Sequence, residues 1–263
     1  FVSSTKAFTG HTTSASGSIE AAICLLCMQN DIIPANLNWS STDDALILPV
    51  VHNVQHDLQC VLCNSFGFGG NDSSLVLTKI GVSDLSSNHS NAAISYSPIY
   101  DGDSIDYKQF ISPIEARRMT KQLRQTLAAA LSALHDANII PDAIICATRY
   151  GCMANSMVFL NEMLSTNEDG LKPTRFIQST HNTMAGLLAI KQQNKGYNIT
   201  YSNGKNSWDD AILDATMQMQ LGLIRSALVI AFDEFVEDWD NILRKVGVQS
   251  CDIAKAQLLT LEN

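Results

Sequence analysis

An alternation of helical and strand-like segments in the second half of the chain constrains the fold more than any other feature. The stretch 112–115, SPIE, has the residues of a capping box with proline at the first helical position, and leucines at helical spacing follow it as far as Asn138. An apolar run at 143–148 then predicts a buried strand. The alternation favours a layered α/β unit with a largely parallel sheet. Further helices are predicted near 156–165, 183–193 and 207–221, and further strands at 198–202 and 227–232.

The first thirty residues combine a lysine and a histidine with a predicted helix start. Lys6 and His11 lie five residues apart, and apolar residues at three- and four-residue spacing follow from Ile19. Residues 12–14 are candidate caps for this helix. His11 is therefore predicted at or just before a helix N-terminus, where backbone N–H groups and the helix dipole favour a developing anion. This arrangement suits enolate chemistry, with the imidazole as hydrogen-bond donor and the ammonium nearby. The alternative is a loop lysine and a structural histidine.

A glycine-rich segment follows about fifty residues later. The residues Gly67-Phe68-Gly69-Gly70 lie between two apolar runs, which predicts two strands around a turn over 58–80. Phe66 and Phe68 place aromatic rings at this turn, where they are predicted to wall a pocket.

Together, the two motifs resemble the C-terminal half of the β-ketoacyl-acyl carrier protein synthases. Lys6, Gly10 and His11 match the K-x-x-x-G-H loop of that family, and residues 64–70 match its NSFGFGG segment. The resemblance implies that His11 stabilises the enolate formed when malonyl thioester loses carbon dioxide, and that Lys6 supports this site. It also implies that Phe68 is a gating phenylalanine whose backbone N–H helps to form an oxyanion hole.

The resemblance further implies an acyltransferase that carries out decarboxylative Claisen condensation of malonyl thioester with an acyl group, in fatty acid or polyketide synthesis. The implied partners are an acyl carrier protein and a second ketosynthase chain in a homo- or heterodimer. No metal or organic cofactor is implied beyond the phosphopantetheine arm of the carrier. The nucleophilic cysteine and a further histidine of the family precede these motifs, so they would lie before Phe1. The chain is therefore interpreted as an incomplete part of a longer one.

The second half of the chain has a resemblance of its own. The segments RRMTKQLRQTLAAALSAL, AIICATRYG and FIQSTHNTMAG look like the ketosynthase-like N-terminal domain family, which includes chain-length factors. In active ketosynthases the nucleophilic cysteine lies between a strand and a helix, and the corresponding turn here is 203–207, with Lys205 near the expected position. No cysteine occurs from 153 to 250. The second unit is therefore predicted to be catalytically silent, because a solvated lysine is protonated at neutral pH and attacks thioesters poorly.

The predicted organisation has three parts: a C-terminal ketosynthase part at 1–80, a serine- and asparagine-rich linker at 81–95, and a ketosynthase-like N-terminal domain at 96–263. The implied fold class is α/β, with the thiolase-like layered α/β/α/β/α architecture present as partial units. One alternative is a non-catalytic partner that serves as an interaction and tunnel-shaping subunit. Another is a self-contained permuted domain that pairs Lys6 and His11 with Lys205.

The seven cysteines show no compact spacing, which predicts reduced thiols and a cytoplasmic protein. Two C-x-x-C pairs, Cys24/Cys27 and Cys60/Cys63, mimic a four-cysteine zinc pattern. They fall on a predicted helix and a predicted strand rather than in polar turns, so buried small hydrophobic residues are the favoured interpretation.

The charge balance excludes some partner classes. A net charge of −9 argues against nucleic acid and anionic membranes, and no apolar run reaches the length of a membrane span. His52 and His56 are interpreted as surface residues, and His181 as a structural histidine. The basic run within 117–124 is either a solvated helix face or a docking surface for an acidic carrier protein.

Overall fold

The computed structural model describes residues 1–40, 47–67, 71–79 and 92–262. The chain divides into two compact units, residues 1–86 and residues 87–263. Phe68 and most of the predicted linker lie outside the described residues. Within the described ranges, no helix combines the length and the apolar character that crossing a bilayer requires.

The first unit contains one long helix and two pairs of antiparallel strands. Strand β1 pairs with β2, and β3 pairs with β4 over their full length. The predicted hairpin at 58–80 is therefore confirmed for the strands, although residues 68–70 of its turn lie outside the described residues. The elements are α1 (Lys6–Thr9), α2 (Ser16–Asn30), β1 (Ile32–Ile33), β2 (Val54–Gln55), β3 (Cys60–Gly67) and β4 (Asn71–Thr78).

Helix α2 differs from its prediction at both its start and its face. A 3-10 turn at Thr13–Ala15 leads into it, and no side chain caps its first N–H groups. The predicted apolar face is only partly covered, because Ala22 and Leu26 are exposed while Ile19 and Ile23 are half-buried. An amphipathic pattern predicts where a helix forms, but its apolar face is buried only where other elements pack against it.

Two stretches of this unit lie outside its strands. Residues 1–5 form no strand, and neither do the described residues of the apolar run at 45–51. Val50 donates one isolated backbone bond to the carbonyl of Val2 at 2.9 Å and accepts another from Asn36 at 2.6 Å. Pro49 lacks the N–H that a regular ladder would need at this point.

The second unit is a six-stranded mixed sheet among the described residues, with the path β5-β10-β9-β7-β8 and with β6 also pairing with β10. Strand β7 is parallel to β8 and β9, whereas β10 is antiparallel to β5, β6 and β9. The prediction of a largely parallel sheet thus holds only for three strands. The elements are β5 (Ile94–Tyr96), β6 (Tyr100–Asp101), α3 (Pro113–Ala116), α4 (Lys121–Ala137), β7 (Ala143–Ala147), α5 (Met153–Thr166), α6 (Pro173–Ile177), α7 (Thr183–Gln192), β8 (Tyr197–Tyr201), α8 (Ser207–Gln220), β9 (Ser226–Asp233), α9 (Glu237–Arg244) and β10 (Ile253–Leu261).

Alternate residues of β7 face opposite sides of this sheet. Ile144 and Cys146 are buried in a cluster with residues of α4 and α7, including Leu127. Ile145 and Ala147 are buried in a second cluster with residues of α8. Helices therefore cover both faces, which explains why β7 is a continuous apolar run rather than an alternating one.

The helix predicted to begin at the SPIE capping box is two helices. The capping box is confirmed, with Ser112 and Glu115 bonded to each other's backbone N–H groups, but α3 ends at Ala116. Helix α4 has a separate cap, Thr120, whose hydroxyl oxygen accepts from the N–H of Leu123 at 3.3 Å. A threonine that binds nearby backbone groups in this way favours a new helix start over a continuous helix.

Glu115 is expected to make the stability of the second unit sensitive to acid. The Lys191 ammonium, 2.9 Å away, and the Ser112 bonds lower the pKa of Glu115 from 4.5 to about 2. Since the folded state lowers this pKa, the carboxylate stabilises the fold above about pH 4.5 and loses its contribution as the pH falls towards 2.

We therefore expect Glu115→Gln to lower the free energy of unfolding at pH 7 by at most about 1 kcal/mol, because the pair is half-exposed and screened. The difference from the wild type should shrink on acidification, as measured by denaturant unfolding across pH. Glu168→Gln, at an exposed glutamate, is the control and should show no such trend. A constant difference at all pH values would argue against the ion pair.

Candidate functional site

The Lys/His motif forms a tight turn between α1 and α2. Gly10 closes α1, and its N–H donates to the carbonyl of Lys6 at 2.8 Å. Its backbone has a φ of +71°, a conformation that disfavours any residue with a Cβ. The glycine of the motif is therefore explained by the turn that carries the chain into His11.

The hydrogen bonds of His11 determine its tautomer. Its Nδ1 accepts from the backbone N–H of Thr13 at 3.0 Å and lies 3.2 Å from the hydroxyl of Ser16. Because a backbone N–H can only donate, Nδ1 carries no proton and the neutral ring carries it on Nε2. The ring is exposed, and no described residue bonds to Nε2. His11 thus presents a free N–H donor just before a helix N-terminus.

Lys6 contacts a carboxylate that the sequence analysis did not single out. Its Nζ forms an ion pair with Glu20, in the second turn of α2. Within the described residues Lys6 bonds to Glu20 and not to His11. The pair connects α1 to α2 and so holds the two ends of the loop that carries His11. The only sequence signal for this partner is an acidic residue within an otherwise apolar helix pattern.

The two motifs meet in space at the start of α2. A Cβ placed on Gly17 would lie 3.0 Å from the Oγ and 3.6 Å from the Cβ of Ser65 in β3. The helix that follows His11 therefore packs directly on the strand that leads into the glycine-rich turn. Phe66, the next residue of that strand, is 77% exposed, and Phe68 lies outside the described residues.

In the second unit, the turn between β8 and α8 is the one at which the sequence resemblance leads us to expect a nucleophile, and it carries Lys205. Lys205 is exposed on a 3-10 turn, Gly204–Asn206. The turn is held by Ser207, whose hydroxyl donates to the Thr148 carbonyl at 2.8 Å and accepts from the N–H of Asn203 at 2.8 Å. No side chain of this turn is a thiol.

Two cysteines of this unit lie in its core, away from solvent. Burial raises the pKa of the Cys146 thiol to about 12. Burial and the neighbouring Glu234 carboxylate raise the pKa of Cys152 further. Thiols with raised pKa values are poor nucleophiles at neutral pH, so these cysteines behave as small hydrophobic residues.

Two buried carboxylates at the end of β9 were not predicted from the sequence. Asp233 accepts from the hydroxyl of Thr148 at 3.0 Å and from the N–H groups of Arg149 and Tyr150, both at 2.9 Å. Glu234 accepts from the hydroxyl of Thr120 and from a backbone N–H at the start of α5. Burial raises the pKa of both carboxyls, and the hydrogen bonds oppose this rise. The pair fixes the loop after β7 against β9.

The predictions for histidines and cysteines have mixed outcomes. His52 and His56 are exposed, as predicted, and His181 packs over Gly151, where an added Cβ would lie 3.2 Å from the imidazole Cγ. Across the described parts of the chain, no group of three or more metal-ligating side chains comes together. All seven cysteines are free. The prediction that the C-x-x-C thiols are buried holds for Cys63, whereas Cys24 and Cys27 are half-buried and Cys60 is exposed.

Two domain models of one protein family match this chain. The family model for the beta-ketoacyl synthase N-terminal domain matches residues 92–261, and that for the C-terminal domain matches residues 1–40. The chain belongs to the beta-ketoacyl synthase family. The C-terminal type of domain thus precedes the N-terminal type in this ketosynthase family member.

Curated relatives of this ketosynthase chain match a short part of it. The 3-oxoacyl-(acyl-carrier-protein) synthase 2 of Vibrio harveyi is 42% identical over 81 residues, which are 30% of this chain and 20% of the relative. The synthase 1 of Escherichia coli (strain K12) is 37% identical over 81 residues, with the same shares. The chain therefore spans about a fifth of the length of the curated relatives it matches.

Solved ketosynthase structures show the same fold. A ketosynthase in complex with its chain length factor from Xenorhabdus doucetiae has a TM-score of 0.54 at 20% identity, covering 64% of this chain and 79% of that one. The PfaC keto synthase–chain length factor has a TM-score of 0.61 at 14% identity, covering 90% of this chain and 37% of that one. The fold class is therefore the thiolase-like α/β architecture, present as partial units.

Proposed function

We propose that residues 1–80 contribute the decarboxylating part of a β-ketoacyl-carrier-protein synthase site, with Lys6, His11 and Phe68 as its residues. The enzyme would be an acyltransferase that condenses malonyl thioester with an acyl group in fatty acid or polyketide synthesis. The observation that carries this proposal is the tautomer of His11, because its unbonded Nε2–H is the donor that an enolate oxygen requires.

The proposed chemistry begins with the malonyl carboxylate leaving as carbon dioxide. The electron pair of the broken C–C bond passes to the thioester, and negative charge develops on the carbonyl oxygen. The Nε2–H of His11 donates to that oxygen, and the N-terminal end of α2 adds to the favourable potential. The enolate carbon then attacks an acyl thioester that the rest of the enzyme supplies. The new C–C bond forms as the acyl C–S bond breaks, and the sulfur leaves as a thiolate. Lys6 and Glu20 keep the His11 loop in place between the two helices they join.

We propose that residues 96–263 form a silent partner domain of the chain-length-factor type, joined to the first part by the linker 81–95. The exposed Lys205 at the turn and the burial of Cys146 and Cys152 support a domain without an acyl nucleophile, and the exposed Cys251 lies outside that turn. Its role would be to pair with an active condensing domain, as a homo- or heterodimer, and to shape the substrate tunnel. The proposal requires no cofactor other than the phosphopantetheine of the carrier protein, and the seven free thiols suit the cytoplasm.

The test of the proposed function is carbon dioxide release from malonyl-carrier thioester by the full-length polypeptide that contains this chain. We expect release that accelerates when an acyl donor is supplied. Absence of any release by a folded protein would overturn the proposal.

A basic surface between α3 and α4 is the proposed docking site for the carrier protein. Arg117, Arg118 and Lys121 are exposed there. Arg124, which the sequence analysis placed in the same surface, has partners instead: its Nε donates to the Thr120 carbonyl at 3.3 Å and its guanidinium lies 5.1 Å from the Tyr107 ring centroid. A positive surface on an acidic chain steers an acidic partner.

Reversing Arg117 and Lys121 to glutamate is expected to weaken carrier binding about tenfold at low salt and to reduce the salt dependence of the Kd. Isothermal titration with the carrier protein at two ionic strengths measures both. The matched control reverses Lys172 and Lys195, which are exposed lysines elsewhere in the same unit. If both double variants weakened binding equally, the carrier protein would be attracted by positive charge in general and not by this surface.

A further inference from the structure

We propose that Gly17 and Ser65 form a positioning contact that transmits the placement of the glycine-rich hairpin to His11. The inference rests on the proposed function, since it concerns how that site is kept in its active geometry. Gly17 is the second residue of α2, and Ser65 precedes Phe66 and Gly67 at the end of β3. The contact therefore joins the beginning of one motif's helix to the end of the other motif's strand.

The two elements approach so closely that a side chain at position 17 would crowd Ser65. A Cβ on Gly17 would lie 3.0 Å from the Oγ of Ser65, so the neighbour would have to move by a few tenths of an ångström. Apart from α2 itself, Ser65 supplies every described atom within 4 Å of that Cβ. The contact is therefore formed by one residue of α2 and one residue of β3. A substitution at either residue tests this contact specifically.

The link from this contact to the imidazole is short. Ser16 directly precedes Gly17 in α2, and its hydroxyl lies 3.2 Å from the Nδ1 of His11. The Thr12 hydroxyl lies 3.3 Å from the same Ser16 oxygen and ties the loop to the helix start. A shift of the first turn of α2 therefore moves a hydrogen-bond partner of His11. The contact acts through His11, so Gly17 and Ser65 are positioning residues and not catalytic ones.

Helix energetics alone would not select glycine at this position. Glycine in a helix is less favourable than alanine, because it loses more backbone entropy on folding. Its φ in α2 is helical, so no left-handed turn requires it. If Gly17 mattered only for the fold, alanine at this position would therefore raise the free energy of unfolding, unless the clash with Ser65 cancelled that gain.

The experiment is a double-mutant cycle in the full-length polypeptide, with carbon dioxide release from malonyl-carrier thioester and thermal unfolding as readouts. Gly17→Ala is expected to lower kcat about 3- to 10-fold, since small misplacements in an active site are costly. The melting temperature should stay equal or rise. In a Ser65→Ala background the added Cβ meets a Cβ at 3.6 Å, which is ordinary contact, so Gly17→Ala should cost less than about twofold.

Ser73→Ala supplies the matched background, because Ser73 lies opposite Ser65 in the hairpin but makes no contact with the Cβ position of Gly17. There, Gly17→Ala should cost as much as in the wild type. An equal cost in the Ser65→Ala background, no cost in any background, or a cost that follows a lower melting temperature would each overturn the positioning contact. A wild-type protein that releases no carbon dioxide would overturn the proposed function, and this inference with it.

Discussion

Replacing His11 with alanine is expected to lower carbon dioxide release from malonyl-carrier thioester by about 10²–10³-fold. This is the loss typical of removing one preorganised donor from a site where negative charge develops. His11 has the features of such a donor: its Nδ1 is occupied by the Thr13 N–H, so its Nε2 proton is available, and it lies before the N-terminus of α2. The measurement is the rate of labelled carbon dioxide release by the full-length polypeptide.

The matched control for this variant is His52→Ala, which removes another exposed histidine of the same unit. It should leave the rate unchanged. Near-normal release by His11→Ala, in a protein that melts at the wild-type temperature, would refute the assignment of His11.

Replacing Phe232 with alanine is expected to produce the largest loss of stability in the second unit. Phe232 lies in β9, has no solvent exposure and packs in the cluster on the α4 and α7 side of the sheet. Truncating a buried phenylalanine costs about 3–5 kcal/mol, because the transfer term and the remaining cavity add. For a unit of this size, that loss lowers the melting temperature by about 6–20 °C.

Phe235→Ala provides the comparison for this variant, because Phe235 follows three residues later and is 47% exposed. Its melting temperature should change by less than about 2 °C. Differential scanning calorimetry of the intact chain measures both variants. A small shift for Phe232→Ala would mean that this core is loosely packed.

The elements that the sequence predicts well are those whose local pattern and tertiary environment agree. Strands β7 and β9 are continuous apolar runs because helices cover both faces of the sheet, and α4 ends at a left-handed Asn138, as its pattern indicates. Strand β10 was not predicted, although Lys255 and Gln257 alternate with the buried Ala254, Ala256 and Leu258 in the period-two pattern of a strand. The Lys255 ammonium lies 4.0 Å from the Trp208 ring centroid, a contact between distant residues that allows a lysine within the sheet.

The sequence predicted the motif residues of the candidate site but not the residues that they contact. The position of His11 before a helix follows from local sequence. Glu20 and Ser65 were not singled out, because their roles depend on how α2 packs against α1 and β3. The tautomer of His11 likewise depends on a loop conformation that places the Thr13 N–H against Nδ1. Phe68 remains a prediction from the motif alone.

Mapping where an acyl group attaches tests most directly whether the second unit is a silent partner of an active site. The full-length polypeptide is incubated with acyl-carrier donor and analysed by intact-protein and peptide mass spectrometry. We expect no stoichiometric acylation within residues 96–263. Lys205 is an exposed side chain at the turn where the resemblance places the nucleophile, and Cys146 and Cys152 are buried with raised thiol pKa values. The third cysteine, Cys251, is exposed but lies outside this turn. A stoichiometric acyl adduct within residues 200–210 would contradict this expectation.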